Sequence, residues 1–454
     1  MPRDVRLIRS PISIAGMVLT TISAVVFIVV LLGDLFGLHT NPYLGILFFI
    51  LLPSLFVLGL LLIPLGAWVE RRRRAAGKPP ASVDWPRIDL NDPAHRRVAV
   101  IVFALTMANI AIVSLGAYKG VEYMDSVGFC GQVCHTPMKP ELVAHQQGPH
   151  ARVACVKCHV APGAGSFVRS KLAGTRRLLA VSRGSYARPI VAAPEDLVAS
   201  RDTCEQCHVP GRFRGDVTRR ISEYADTEAN TESVTTLHLH VGGTDRVGRT
   251  TGIHWHADPA TVVEYIATDD QRQTIPWVRV TDGKKGVREY TAGTVSTDGA
   301  RGEWRRMECT DCHNRAGHAI PATAERAVDL AISRGEIPVT LPFIRREAVK
   351  ALEGSYPSEE SATDAISRSL RDFYTSHHAH SAGPEGPGID PAVRATQNIY
   401  RRSVFPEMKV TFGTYADNVG HIDAPGCFRC HDDAHVANDG KKIGQECDTC
   451  HAIE

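Results

Sequence analysis

The placement of the twelve cysteines restricts the fold of this chain more than any other feature. All of them lie beyond residue 119, in six pairs that are each followed directly by a histidine. Five pairs have C-x-x-C-H spacing, which is the attachment signature of c-type haem. The two thiols bond to the haem vinyl groups, and the histidine turns onto the iron. The five motifs are Cys155/Cys158/His159, Cys204/Cys207/His208, Cys309/Cys312/His313, Cys427/Cys430/His431 and Cys447/Cys450/His451.

A sixth motif, Cys130/Cys134/His135, has one extra residue between its cysteines. Together the motifs use every cysteine, so none remains for a disulfide. Structural zinc also uses paired cysteines, but it would leave six adjoining histidines unexplained. The sequence therefore predicts six covalent haems and the fold class of a multihaem cytochrome c. We expect a mainly α-helical and irregular domain in which the haems supply much of the apolar core.

Six haem irons need six further axial ligands, and twelve other histidines lie beyond residue 118. Five of them stand close to a motif or form a pair: His150, His318, His435, His254 and His256. His254 and His256 flank Trp255 in a segment that, if extended, directs both imidazoles to one face. We predict these five as distal ligands, with either one or both members of the His254/His256 pair in use.

The first 118 residues contain three long runs without charge, at 10–33, 35–69 and 98–118. A membrane-spanning helix needs about 20 apolar residues. The runs predict three transmembrane helices, at about 11–34, 43–69 and 97–118. No small-residue cleavage site closes the first run, so we expect a retained anchor.

Basic residues predict the orientation of these spans in the cytoplasmic membrane. The N-terminal tail and the loop after the second span are rich in arginine, whereas the loop at 36–42 has no Lys or Arg. The positive-inside rule puts the tail and the arginine-rich loop in the cytoplasm, and hence the haem domain in the periplasm. Covalent haem attachment, which is completed outside the cytoplasm, requires the same orientation.

The formal net charge of +2 hides an uneven distribution. Residues 1–118 hold eleven basic and six acidic residues, which leaves 40 basic and 43 acidic residues in 119–454. Haem propionates would make that part more acidic. This balance disfavours nucleic acid as a partner and favours basic proteins.

Two stretches carry a resemblance to a known family. Phe129–Glu141, FCGQVCHTPMKPE, is followed by Pro149–His159, PHARVACVKCH, and Cys309–His318 reads CTDCHNRAGH. They resemble NapC/NirT-type multihaem cytochromes over about 119–210 and 305–320, and 390–454 looks like longer relatives. The resemblance implies a membrane-anchored quinol dehydrogenase that passes electrons to a periplasmic cytochrome or reductase. Simple members have one anchor helix and four haems, so the resemblance implies an extended, six-haem relative.

The resemblance also bears on individual residues. It marks His318 and His421 as distal ligands, and it makes Met138 an alternative to His135 on the first iron. Because Cys130 follows the third span by about a dozen residues, quinol oxidation is expected at the first haem. Asp125, Lys139 and Glu141 could bind the headgroup and accept its protons. The alternative is that these three are solvated loop charges.

The soluble part is predicted to have three regions: a three-haem domain at 119–210, a β-rich insertion at 211–305 and a second three-haem part at 306–454. The insertion includes a hairpin formed by Trp277–Val280 and Val287–Tyr290. Helical spacing occurs at 322–334, 343–354 and 358–376, and 381–388 is expected to be a flexible loop.

Three functions remain open from the sequence. The first is quinol oxidation with relay of electrons to a periplasmic partner. The second is a relay subunit of a larger respiratory complex that never contacts quinone. The third is a catalytic multihaem reductase, which would need a haem with an open axial position. A C-x-x-C-K motif would favour a reductase, and the sequence has none.

Overall fold

The computed structural model describes residues 10–35, 42–77, 89–133, 135–161, 163–191, 198–209, 215–244, 250–283, 286–293, 302–378 and 388–454. The chain divides into two compact units, Met1–Phe129 and Cys130–Glu454. The predicted boundary at 118 falls earlier than this division, because the third helix continues past it.

The first unit consists of three helices: α1 (Pro11–Leu35), α2 (Pro42–Ala75) and α3 (Pro93–Met124). Within the described residues, Pro11–Val29 and Leu52–Arg73 are long and apolar enough to cross a membrane. Helices α1 and α2 pack closely, since a Cβ atom on Gly16 would lie 2.7 Å from the carbonyl oxygen of Gly59. Small residues permit such close approach between helices in lipid.

The second unit combines nine helices of the described chain with short strands. The helices are α4 (His135–Gln147), α5 (Val156–His159), α6 (Ala164–Ser182), α7 (Ser200–Thr203), α8 (Cys309–Cys312), α9 (Ala324–Ser333), α10 (Ile344–Leu352), α11 (Glu359–His377) and α12 (Asp390–Ser403). The strands are β1 (Val217–Tyr224), β2 (Glu232–Leu239), β3 (Gly243–Thr244), β4 (Thr250–Thr251), β5 (Thr261–Ile266), β6 (Trp277–Asp282), β7 (Gly286–Ala292), β8 (Arg305–Arg306), β9 (His435–Ala437) and β10 (His451–Ile453).

The strands form sheets in the orders β1-β2-β10, β3-β4 and β8-β5-β6-β7-β9. Strands β6 and β7 form the hairpin predicted from the sequence, with Val278 opposite Tyr290. The β-rich region is not a self-contained insertion at 211–305. Strands β9 and β10 come from the C-terminal part of the chain and complete two of the three sheets.

Helices α9 to α12 enclose the largest hydrophobic core of this unit, which contains no cysteine motif. Leu341, Ile366 and Tyr374 are fully buried there. The helix starts follow sequence signals, because the Thr323 side chain accepts from the Arg326 N–H and Ser358 forms a capping box with Ser361. Helix α12 was not predicted, and residues 381–387 of the expected loop lie outside the described residues.

Candidate haem-binding site

The described C-x-x-C-H motifs share one backbone turn. In four of them the histidine N–H donates to the carbonyl of the first cysteine, at 2.7 to 3.0 Å: His159 to Cys155, His208 to Cys204, His313 to Cys309 and His431 to Cys427. In the last motif the Cys450 N–H donates to Cys447 at 3.2 Å. A single turn puts both thiols and the imidazole on one side of the backbone, as attachment to one haem requires.

The first motif has a different turn. Phe129–Val133 forms one turn of π-helix, whose i→i+5 hydrogen bonds enclose one residue more than an α-turn. This wider turn lies in the motif that has the extra residue between its cysteines. Helix α4 then begins at His135, and half-buried Met138 lies on its first turn. Cys134 and the His135 side chain lie outside the described residues.

Each of the other five attachment histidines faces one further histidine. The ring centroids of the five pairs are 5.9 to 6.3 Å apart: His159 with His318, His208 with His150, His313 with His254, His431 with His256, and His451 with His421. Two metal–nitrogen bonds of about 2 Å, with two half-rings, span roughly 6 Å. The spacing therefore fits two imidazoles bound to one iron from opposite sides.

Four of the distal histidines have their Nδ1 atom engaged by a backbone carbonyl. The acceptors are Ala316 O for His150, Glu141 O for His318, Val241 O for His254 and Ile253 O for His256, at 2.8 to 3.1 Å. Because a carbonyl only accepts, Nδ1 must carry the proton, and Nε2 is the ring nitrogen whose lone pair can bind a metal. Such a second hydrogen bond is the usual support of a metal-ligating histidine.

Burial keeps several of these imidazoles neutral. It lowers the pKa of His256, where the charge of His431 lowers it further. Burial also lowers the pKa of His159, His313 and His318. A neutral imidazole is the form that binds iron, so the folded chain favours ligation without first having to remove a proton.

His254 and His256 serve two different motifs, although their segment is not the extended one considered from the sequence. Ile253–Ala257 forms a short 3-10 helix. This turn directs His254 to His313 of one motif and His256 to His431 of the next. The segment thus links two neighbouring motifs through side chains only two residues apart.

The prediction of His435 as a distal ligand must be corrected. Its ring is buried, and both ring nitrogens already have partners. Nδ1 lies 2.8 Å from Asp432 Oδ1, and Nε2 lies 2.7 Å from Ile275 O. His435 therefore fastens β9 to the chain before β6, and proximity to a motif in sequence was a misleading signal.

The thiols, which stand in for the thioether sulfurs of the haem-bound protein, bring consecutive motifs together. The Cys130 and Cys155 side chains share a hydrogen bond, and so do those of Cys204 and Cys309. Burial raises the pKa of Cys158, and the neighbouring Cys207 contributes to this shift.

Cysteines of consecutive motifs are also close together in the C-terminal part of the chain. Burial raises the pKa of Cys312 to about 11, and Cys427 of the next motif adds to the shift. Cys427 likewise contributes to the raised pKa of Cys450, after burial. The six motifs are therefore neighbours in the order in which they occur in the sequence.

Asp311, the last residue before Cys312 in its motif, organises the junction with the next motif. Its buried carboxylate accepts from the Tyr265 hydroxyl at 2.8 Å and from Arg272 at 2.5 Å. Burial raises the pKa of Tyr265 to about 12, and the charge of Asp311 adds to this effect. No sequence pattern singled out Asp311, although a charged residue between two attachment cysteines was visible.

The residues predicted to bind quinol have protein partners. Lys139 Nζ lies 2.6 Å from Glu359 Oε2 of α11. Glu141 Oε2 lies 3.2 Å from His318 Nδ1 and 3.4 Å from Arg315. Asp125 belongs to the first unit, where its N–H donates to Val121 O. Lys139 and Glu141 thus form ion pairs within the second unit.

His145 is a further site residue that sequence reasoning did not select. It is buried on the last turn of α4, with Nε2 3.0 Å from Val153 O, and its ring lies 6.1 Å from that of His318. The hydrogen bond to Val153 places His145 beside the second motif. The spacing of histidines in the sequence did not indicate this position. Among the described residues, no group of three or more His, Cys, Asp or Glu side chains forms a site for a bare metal ion.

Comparison with known proteins gives one informative match. The chain is 39% identical over 447 residues to the cytochrome c-type protein ImcH of Geobacter sulfurreducens, and the match covers 98% of this chain and 88% of that protein. No protein-family model matches the chain. No solved structure matches it either.

Proposed function

Because this chain belongs to the family of the cytochrome c-type protein ImcH, we propose that it is a six-haem membrane cytochrome that takes electrons from the quinol pool. The acceptor is a periplasmic cytochrome or reductase. The observation that carries the proposal is the set of five histidine pairs, one for each C-x-x-C-H motif, in a chain that also carries apolar helices of membrane-spanning length.

The proposed haem-binding residues combine the sequence motifs with the histidine pairs. The twelve cysteines attach the cofactors, and His135 or Met138 binds the first iron. The remaining axial pairs are His159/His318, His208/His150, His313/His254, His431/His256 and His451/His421. Bound haem supplies one-electron exchange between ferric and ferrous iron, with a potential set by ligands, burial and hydrogen bonding.

Two histidines on five of the six irons favour electron relay over substrate chemistry at those haems. An iron with two protein ligands has no open position for nitrite or another small substrate. The chain order of the neighbouring motifs supports a linear route from the Cys130 motif to the Cys447 motif.

We place quinol oxidation at the first motif, as a NapC/NirT-type enzyme would. Lys139 and Glu359 form an ion pair whose side chains remain 39% and 35% exposed, so a headgroup can reach it. Glu141 is less exposed, and it also supports His318. Asp125, five residues before Cys130 in the sequence, stays a candidate proton acceptor on its sequence position alone.

We propose that electrons leave the protein from the haem of the last motif. Cys447 is exposed, and the acidic side chains of Glu446 and Asp448 flank it on the surface. Opposite charge speeds the encounter of redox partners, so this end suits a basic periplasmic cytochrome or reductase. The direction of transfer requires the topology proposed from the arginines, with three spans and the haem domain in the periplasm.

The decisive experiment is reduction of the haems in the purified full-length holoprotein by a quinol, followed by their absorption in stopped flow. We expect rapid reduction in the wild type. Lys139→Ala should slow the quinol reaction at least tenfold while leaving reduction by dithionite unchanged. Lys350→Ala, which removes an exposed lysine of α10, is the matched control.

The outcome separates the remaining functions. Haems that dithionite reduces but quinol does not would exclude quinol oxidation and leave a relay subunit. An altered high-spin absorption on adding nitrite would instead indicate a reductase.

A further inference from the structure

Helix α6 is the most basic element of the haem domain and has no acidic neighbour in sequence. Between Glu141 and Glu195 the chain has eight Lys and Arg residues and no Asp or Glu. Half of the eight lie on α6: Arg169, Lys171, Arg176 and Arg177. This excess stands out in a domain that is otherwise mildly acidic, and it does not serve haem attachment.

The same helix exposes large apolar side chains. Leu172 is 63% exposed, Leu178 40% and Leu179 49%. On a helix that turns about 100° per residue, these three leucines share one side. A Cβ atom built on Gly174 would meet no atom within 4 Å. No described helix or strand packs extensively against α6.

The leucine side of α6 is its more exposed side. Arg177 lies on the opposite side of α6, about half a turn around the helix from the centre of the leucines. Ser170, Ala173 and Ala180 lie on the Arg177 side, and they are less exposed than the leucines. The Arg177 side of the helix therefore faces the rest of the haem domain, and the leucines face away from it.

We propose that α6 lies in the surface of the membrane, with Leu172, Leu178 and Leu179 among the acyl chains and its arginines on anionic phospholipid headgroups. A basic amphipathic helix of this length without acidic residues matches interfacial helices. Charge complementarity selects anionic lipid, since each basic residue near such a surface adds to binding.

The haem domain is already tethered to a membrane, because the chain carries apolar N-terminal helices that fit a membrane anchor. An interfacial helix adds a second attachment in the haem domain. It fixes how that domain is oriented on the bilayer.

The test is photolabelling of the full-length holoprotein in nanodiscs of phosphatidylglycerol and phosphatidylcholine that contain a lipid with a diazirine in its acyl chain. Peptides of α6 should be labelled. Peptides of α9, where Leu330 is 46% exposed but acidic residues are present, are the internal control and should stay unlabelled.

Two variants define the contact. Leu172→Gln/Leu178→Gln/Leu179→Gln should reduce labelling of α6 at least fivefold with the haem spectrum intact. Arg169→Gln/Arg176→Gln should reduce it about twofold, as should discs of phosphatidylcholine alone. Unlabelled α6 beside labelled α1, or labelling that neither variant changes, would overturn the proposal. The readout is independent of quinol oxidation, so it succeeds or fails separately from the proposed function.

Discussion

Arg429 donates through Nη2 to the main-chain carbonyl of Asp311 at 2.6 Å, which ties the inner residue of one haem motif to the inner residue of the preceding one. Its other donors reach Gly426 O and Arg272 O, so every contact is to a neutral carbonyl. A buried cation thus lies between the Cys309 and Cys427 motifs.

Removing this charge should lower the potential of the fifth haem, and to a lesser degree of the fourth. A nearby positive charge disfavours ferric iron, which carries one charge more than ferrous iron. For Arg429→Gln we expect a shift of roughly 50 mV, from Coulomb's law at about 12 Å and an effective dielectric constant of about 20. Spectroelectrochemical titration of this variant measures the shift in potential. Arg401→Gln, which removes a charge on the surface of α12, is the control. Equal titration curves would mean that the charge is compensated.

Replacing His318 by methionine should raise the potential of a single haem, because methionine–histidine ligation favours ferrous iron. The change tests the pairing of His318 with His159, 6.0 Å away. Electron paramagnetic resonance should show one altered low-spin signal.

His435→Met is the matched comparison for that variant, since both residues follow a motif closely in sequence. It should leave every haem signal in place. It should lower the free energy of unfolding by about 2 kcal/mol, because one buried and one partly buried hydrogen bond are lost. A changed haem signal in this variant would restore His435 as a ligand.

The intact holoprotein should carry six haems by mass. Cys130→Ala should give a species with its first haem held by one thioether bond or lost, and the other five unchanged. The experiment bears on the π-helical turn at Phe129–Val133, which accompanies the unusual spacing. A wild-type mass with five haems would show that this turn does not present its cysteines for attachment.

Asp329 gives the helical bundle a pH dependence of known sign. Burial raises its pKa above 3.8, although the hydrogen bond from Arg345 acts to lower it. The folded state therefore holds this proton more tightly than the unfolded state. Stability should fall as pH rises from about 4 through the folded pKa and then level off. Hydrogen exchange of α9 as a function of pH measures this dependence in the wild type. The dependence should be absent from Asp329→Asn.

Several elements were predictable because their signals are local. Apolar runs predicted the long N-terminal helices, helical spacing predicted α9 and α11, and the spacing of cysteines and histidines predicted the turns of the C-x-x-C-H motifs. The distal ligands were only partly predictable. His318 and His435 follow their motifs at similar distances, but tertiary structure turns one ring toward an attachment histidine and the other toward a buried carbonyl.

The junction of Asp311 and Arg429, and the completion of both larger sheets by β9 and β10, depend on contacts between residues far apart in the chain. The spacing of residues along the sequence does not predict these contacts. Helix α12 has an apolar face, but its position after the Gly- and Pro-rich 381–388 gave no independent sign of the bundle it completes.

The late arrival of β9 and β10 has a consequence for biogenesis. Strand β2 is synthesised more than two hundred residues before its partner β10. Strand β7 is synthesised about one hundred and forty residues before its partner β9. Until the last segment emerges, both strands have an unpaired edge. A product cut short after β8 would expose these edges to proteases and to other chains. Completion of the two sheets thus links survival of the protein to synthesis of its final two haem motifs.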